Sequence, residues 1–165
     1  MERSPLPVNG ARPEERPRAA LRVVLDTNVL VSALLYRDGE LAWLWDAWRS
    51  GCVVPLADEG VLEELRRILT RLGGRKFDLE PEQVLAIVET YRRLTEAVPA
   101  DPQAGVDMPK CKDADDQKFL DLACRGQAAA LVTSDAALLA LARRTPFSIL
   151  PPIRFRQYVQ LHQGG

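Results

Sequence analysis

The sequence predicts an α/β domain whose parallel sheet is covered by helices on both faces. Short apolar runs of strand length alternate with stretches of helical periodicity from residue 22 onward. That is the pattern of βαβ units, whose right-handed crossovers lay helices over a parallel sheet. The chain has 165 residues, 47% of them hydrophobic and 27% charged, which suits one soluble globular domain with a sizeable core. No apolar run approaches the roughly 18 residues of a membrane helix.

Residues 1–20 are rich in Pro, Arg and Glu and lack periodicity, so they predict a disordered N-terminal tail ahead of a domain spanning 21–160. The tail carries no apolar signal core, and a cytoplasmic protein is expected. Apolar runs place strands at 22–26, 52–55, 96–98, 129–133 and 147–150. Helical spacing places helices at 28–36, 40–50, 58–72, 81–94, 114–125 and 135–144, with a short one near 152–160. Residues 73–78 read as a loop, as does 99–112 with its three prolines and a glycine. Trp43, Trp45 and Trp48 fall on helical positions and suit packing or a partner surface rather than base stacking.

Several chemistries have no material. The single histidine, His162, lies near the C-terminus, which leaves little for a triad or a His-rich metal site. Cys52, Cys111 and Cys124 are an odd number without CxxC spacing, against disulfides or zinc. Net charge is −1, so no global field draws in nucleic acid. Of 22 basic residues 18 are arginines, a bias that suits phosphate binding but also follows from composition alone.

The acids are more informative. In "RVVLDTNVLV" (22–31), Asp26 ends the first strand. Asp135 likewise stands between "AAALVTS" and "AALLALA", at another strand-to-helix junction. Such junctions gather along the carboxyl edge of a parallel sheet, where α/β folds bind ligands. Asp116 opens the helix "DADDQKFLDLAC". Phe119, Leu120 and Ala123 lie at i+3, i+4 and i+7 from it, which sets its carboxylate at the head of the buried stripe. Asp115 and Asp121 point elsewhere, into solvent. In "VLEELRRIL" the stripe is Val61, Leu65, Ile68, Leu69 and Leu72, with Glu64 on its border and Glu63 facing away.

Taken singly, Asp26, Asp116 and Asp135 also suit helix N-caps, as Asp113 does for the Asp116 helix. Converging without a histidine or lysine, they would raise one another's pKa unless a cation neutralised them. Hard oxygen donors suit Mg²⁺ or Mn²⁺. One or two such ions in a carboxylate cluster are the apparatus of phosphodiester hydrolysis.

These residues resemble the PIN-domain family, in particular its VapC-like branch of toxins from toxin–antitoxin pairs, from about Arg22 to Tyr158. "VLDTNVLVSAL" resembles the first motif, with Asp26, Thr27, Asn28 and Ser32. "VLEELRRIL" resembles the second and selects Glu64. "CKDADDQKFLDLA" resembles the third, with Asp116 and its polar neighbour Asp113. "LVTSDAALL" resembles the last, with Asp135 beside Thr133 and Ser134. The sequence departs from the pattern where Asp58 replaces a common Ser, Ser134 a frequent Gly, and Ala137 a frequent acid. The resemblance implies a Rossmann-like three-layer α/β/α sandwich with a five-stranded parallel sheet. It implies Mg²⁺- or Mn²⁺-dependent ribonuclease activity, a small antitoxin as partner, and a homodimer. Asp26, Glu64, Asp116 and Asp135 would then hold the metal, with Thr27, Asn28, Ser32, Asp113, Thr133 and Ser134 in support. Candidate phosphate contacts are Lys112, Lys118, Arg37, Arg66 and Arg75. Rival readings are a nuclease acting on structured DNA, a receiver-like phosphoryl-transfer domain lacking the expected late lysine, a non-cleaving metal- or RNA-binding module, and a plain structural domain.

Overall fold

The computed structural model describes residues 20–103 and 107–164; apart from Ala20, the expected tail lies outside them. Five strands carry the fold: β1 (Leu21–Leu25), β2 (Val53–Ala57), β3 (Glu96–Ala97), β4 (Ala130–Val132) and β5 (Ser148–Leu150). All are parallel, in the order β3-β2-β1-β4-β5. The chain lays strands outward in one direction, then returns to the other side of β1. Strand order therefore reverses between β1 and β4, the switch point where such sheets open a crevice at their carboxyl ends.

Alternation along each strand sends side chains to two cores. Val23 and Leu25 of β1, with Val53 and Ala57 of β2, face α1 (Thr27–Leu35), α2 (Trp43–Ser50), α3 (Glu59–Leu72), α4 (Pro81–Leu94) and α7 (Pro152–Gly164). Val24, Leu56, Leu131 and Ile149 face α5 (Gln117–Arg125) and α6 (Ala136–Leu139). The result is the expected α/β/α sandwich. Among the described residues no helix is long and apolar enough to cross a membrane.

The predicted elements are present with shifted bounds. Strand β2 runs through Pro55 to Ala57, because β3 pairs only with Leu56 and Ala57 and so asks no hydrogen bond of the proline. The 73–78 loop is a π-helical turn, Gly73–Phe77, that prolongs α3. Helix α6 stops at Leu139 rather than 144. Tight turns follow it, with Leu141 N–H bonded to the Leu138 carbonyl at 3.0 Å and Arg144 N–H to that of Leu141 at 2.9 Å. Their threefold spacing keeps Leu138 and Leu141 in the core while the chain reverses into β5. Helix α7 runs on to Gly164, beyond the expected boundary at 160. On α3 the buried stripe is Leu62, Leu65 and Leu69, with Val61, Ile68 and Leu72 on its flank.

Trp48 is buried, with its ring centroid 5.7 Å from that of Tyr91, and Trp43 packs on Phe155 at 5.8 Å. The tryptophans serve helix packing.

Candidate active site

Asp26 follows the last residue of β1 and is 5% exposed. Its amide extends the ladder to the Val132 carbonyl (3.0 Å), which fixes it over the crevice. The side chain caps α1: Oδ1 accepts from Val29 N–H at 2.9 Å, and Oδ2 accepts from the Thr133 hydroxyl. Thr133 is fully buried, and its Oγ1 also accepts from Asp135 N–H at 2.9 Å. One hydroxyl thus ties the acid after β1 to the acid after β4. Asp135 caps α6 by accepting from Ala137 N–H at 2.7 Å.

Asp116 heads α5 without capping it. Asp113 caps the preceding 3₁₀ turn, Ala114–Asp116, by accepting from Asp115 N–H at 2.9 Å. Asp116 is therefore released from capping, and its buried Oδ2 has no hydrogen-bond partner. Asp113, Asp116 and Asp135 each bring a carboxylate oxygen within 4.8 Å of the others. Phe119, Leu120 and Ala123 are buried beneath, so Asp116 does sit at the head of its stripe. Asp115 is exposed as expected, whereas Asp121 is half-buried.

The electrostatics follow from that crowding. Burial and the facing Asp135, with Asp113 and Asp26 adding repulsion, push the Asp116 carboxyl up to about 7. Asp135 is held low by Asp116 and by the Ala137 amide, so the two carboxyls titrate together and share one proton. Burial also raises Asp26, against the bonds from Thr133 and Val29.

Glu64 lies apart from the trio. Its Oε2 accepts from the Thr27 hydroxyl and its Oε1 pairs with Lys118 Nζ at 2.6 Å. Burial alone would raise this carboxyl, but Lys118 and Thr27 hold it below its ordinary value. The four predicted acids therefore form a chain: Asp116 meets Asp135, Asp135 meets Asp26 through Thr133, and Glu64 joins through Thr27 next to Asp26.

The supporting residues divide. Thr27 and Thr133 are buried and bonded to carboxylates. Asn28 and Ser134 are exposed and Ser32 is half-buried; among the described residues their side chains make no hydrogen bond. Among the cations, Lys112 is exposed in the segment that carries Asp113. Lys118 is bound to Glu64, and Arg66 is paired with Glu63 on the surface of α3. Arg37 and Arg75 lie elsewhere. Arg37 follows the C-terminus of α1, about 15 Å along the helix from Asp26, where it stacks on Trp45 at 4.0 Å. Arg75 lies in the π-helical turn, whose Phe77 packs edge-on against Tyr36 at 5.3 Å. Each helix starts at the carboxyl edge and carries its C-terminal arginine away from it, so both stand apart from the carboxylates.

Sequence reasoning missed Gln117. Its Oε1 accepts from Cys111 N–H at 2.7 Å and its Nε2 donates to the Pro109 carbonyl at 3.1 Å, fastening the loop that leads to Asp113. A half-buried amide in the first turn of a helix is a faint signal for such a brace. Arg125 was missed as well. It donates to Asp58, the cap of α3, and to the Pro99 carbonyl at 2.9 Å. That partner accounts for an acid where a serine is common.

A family model for the PIN domain matches residues 22–137. The chain belongs to the PIN-domain family. Protein MJ1680 of Methanocaldococcus jannaschii is 25% identical over 128 residues, 78% of this chain and 79% of that protein. Two solved structures share the fold at a TM-score of 0.55 each. VapBC2 from Rickettsia felis, bound to a DNA fragment from their promoter, is 17% identical and aligns over 79% of this chain and 97% of that one. PAE2754 from Pyrobaculum aerophilum is 12% identical and aligns over 96% and 100%. The PIN domain is a nuclease scaffold, and the carboxylate cluster found here is compatible with a divalent metal. The donors fit such an ion: hard oxygens only, one of them buried without a partner, in a group whose mutual repulsion a cation would remove.

Proposed function

We propose that this PIN domain is a Mg²⁺- or Mn²⁺-dependent endoribonuclease, silenced in the cell by a small antitoxin. The observation that carries the reading is the Asp113–Asp116–Asp135 cluster at the switch point, linked to Asp26 through Thr133. Asp26, Asp116 and Asp135 would hold the ion, with Glu64 joining them when Lys118 lets it go. Held there, such an ion would lower the pKa of a water and offset the charge of the reacting phosphate. The chain's residues do the rest. Thr133 orients Asp26 and Asp135 together, and Thr27 orients Glu64. Asn28 and Ser134, exposed beside the acids, are placed to hydrogen-bond the RNA, and Lys112 to meet its phosphates. The antitoxin is supported by the toxin-like motifs and by the fold shared with VapBC2; a homodimer rests on the toxin-like motifs alone.

The test compares wild type with Asp26→Asn on single-stranded RNA, single-stranded DNA and flap DNA, with Mn²⁺ or EDTA. Asparagine caps a helix as well as aspartate, so α1 and the melting temperature should survive. RNA cleavage should fall by about a thousandfold, the loss of roughly 4 kcal/mol of transition-state stabilisation. Wild-type cleavage that persists in EDTA, or undiminished cleavage by Asp26→Asn, refutes the scheme. Cutting of the DNA substrates alone replaces RNA by DNA.

A further inference from the structure

A groove of about 930 Å³ opens beside the carboxylates, between the start of α3 and the outer face of α5. Asp58, Glu59 and Leu62 line one wall and Lys118, Asp121 and Arg125 the other. Two of its cations are already engaged: Arg92 with Glu59 at 2.6 Å, and Arg125 with Asp58 and the Pro99 carbonyl. Lys118 is different. It lines the groove yet turns its ammonium to Glu64, with a second bond to the Asp115 carbonyl in its own first turn, so that Lys118 and Thr27 together occupy both oxygens of the Glu64 carboxylate.

On the metal-nuclease reading above, we propose that Lys118 is an exchangeable counter-ion: it holds Glu64 until a divalent ion takes its place, and the released ammonium then grips an RNA phosphate at the mouth of the groove. Three features favour exchange. Lysine carries a compact charge on a flexible stem with rotatable donors, so it can change partner without moving the backbone. The Lys118 side chain is 33% exposed, against 12% for Arg125, so the pair is only moderately strong and the released ammonium returns to water. And Glu64 is bonded to Thr27, next to Asp26, so a divalent ion held by the acids attracts Glu64 and competes with the ammonium for it. Lys118 is thus a positioning and substrate-binding residue in one, and metal and RNA binding become coupled through it.

The test is Lys118→Gln in the full chain, with Lys118→Met as a second neutral variant and Lys118→Arg as the charge control. Mn²⁺ affinity is read by calorimetry without RNA, and binding of a short single-stranded phosphorothioate RNA by fluorescence anisotropy across salt concentrations. Both neutral variants should bind Mn²⁺ roughly threefold to fivefold more tightly, since the competing ammonium is gone. Both should bind RNA more weakly, with the salt slope shallower by about 0.7. Lys118→Arg should stay near wild type in slope. Unchanged or weaker Mn²⁺ binding in both neutral variants overturns the exchange, and an unchanged salt slope overturns the phosphate contact. If wild type cuts RNA with Mn²⁺ while these variants match it throughout, only this inference fails. If wild type binds no Mn²⁺, the nuclease reading fails and this inference with it.

Discussion

Two acidic regions lie close together at the carboxyl edge of the sheet, and they are built on opposite principles. Where α3 meets α5, two half-buried acids each have a cation: Glu64 has Lys118 and Asp58 has Arg125. At the ends of β1 and β4, Asp26, Asp113, Asp116 and Asp135 have no lysine or arginine partner among the described residues; hydroxyls, amide N–H groups and one another are what they touch. The first arrangement is neutralised within the chain and links the two helix layers across the sheet, with Lys118 as its exchangeable member. The second leaves charge uncompensated, which costs stability until something positive arrives. On the metal-nuclease reading, the acids that the protein leaves unpaired are the ones that await a cation.

The sharpest way to break the contrast is at the paired end. Arg125→Ala leaves Asp58 half-buried without its cation and frees the Pro99 carbonyl. We expect a loss of about 2–3 kcal/mol, below the full range for breaking a buried pair because Asp58 still reaches solvent. That is a drop in Tm of roughly 5–10 °C. Mn²⁺ affinity should stay within about twofold, because every metal-site carboxylate keeps its partners. A large loss of metal binding without a loss of stability would mean that Arg125 serves the site rather than the fold.

At the unpaired end the sign reverses. Asp116→Asn removes one charge from the cluster and sacrifices no cap. The metal-free protein should gain on the order of 1 kcal/mol near neutral pH after allowance for solvent screening, while stabilisation by Mn²⁺ disappears. A pH series sharpens this. Asp116 titrates at about 7 in the folded chain against an ordinary value of 3.8. Between those values the folded chain holds a proton that the unfolded chain has lost, so metal-free stability should rise as pH falls from about 8 to 5. Asp116→Asn should flatten that rise, and Mn²⁺ binding near pH 6 should release a proton, read by calorimetry in buffers of different ionisation enthalpy. A wild-type Tm that falls monotonically over the same acidification contradicts the shared proton.

Much of this was legible because it depends on order along the chain. Parallel strands are apolar throughout, so β1 and β4 stand out, and a lone acid at the end of each must lie on the rim. Helical spacing placed Phe119, Leu120 and Ala123 under Asp116 for the same reason. What the sequence hid depends on how the layers meet. Nothing in "DDQKFL" shows that Lys118 will face Glu64, a residue 54 positions earlier on the opposite layer. The strong helix formers of 136–144 end their helix early because the chain must turn back into β5, so tertiary context overrides propensity. The α3 stripe centres on Leu62 rather than Val61, since one step around a helix face is finer than apolar spacing resolves.

The smallest effect tests how far the site extends. Charge alone makes Arg37 and Arg75 candidates for phosphate binding, yet both sit at the C-terminal ends of helices whose N-termini face the acids. Arg37 also has a use where it is, its guanidinium stacked on Trp45 beside Leu34 and Ile87. Substituting each by alanine should therefore leave RNA affinity within about twofold and the salt slope unchanged. Lys112→Ala, beside Asp113, should shallow the slope by about 0.7 for each phosphate it no longer neutralises. If Arg37→Ala or Arg75→Ala shallows it equally, the bound RNA runs down the α1–α3 side of the molecule. The unpaired acids would then mark only one end of its path.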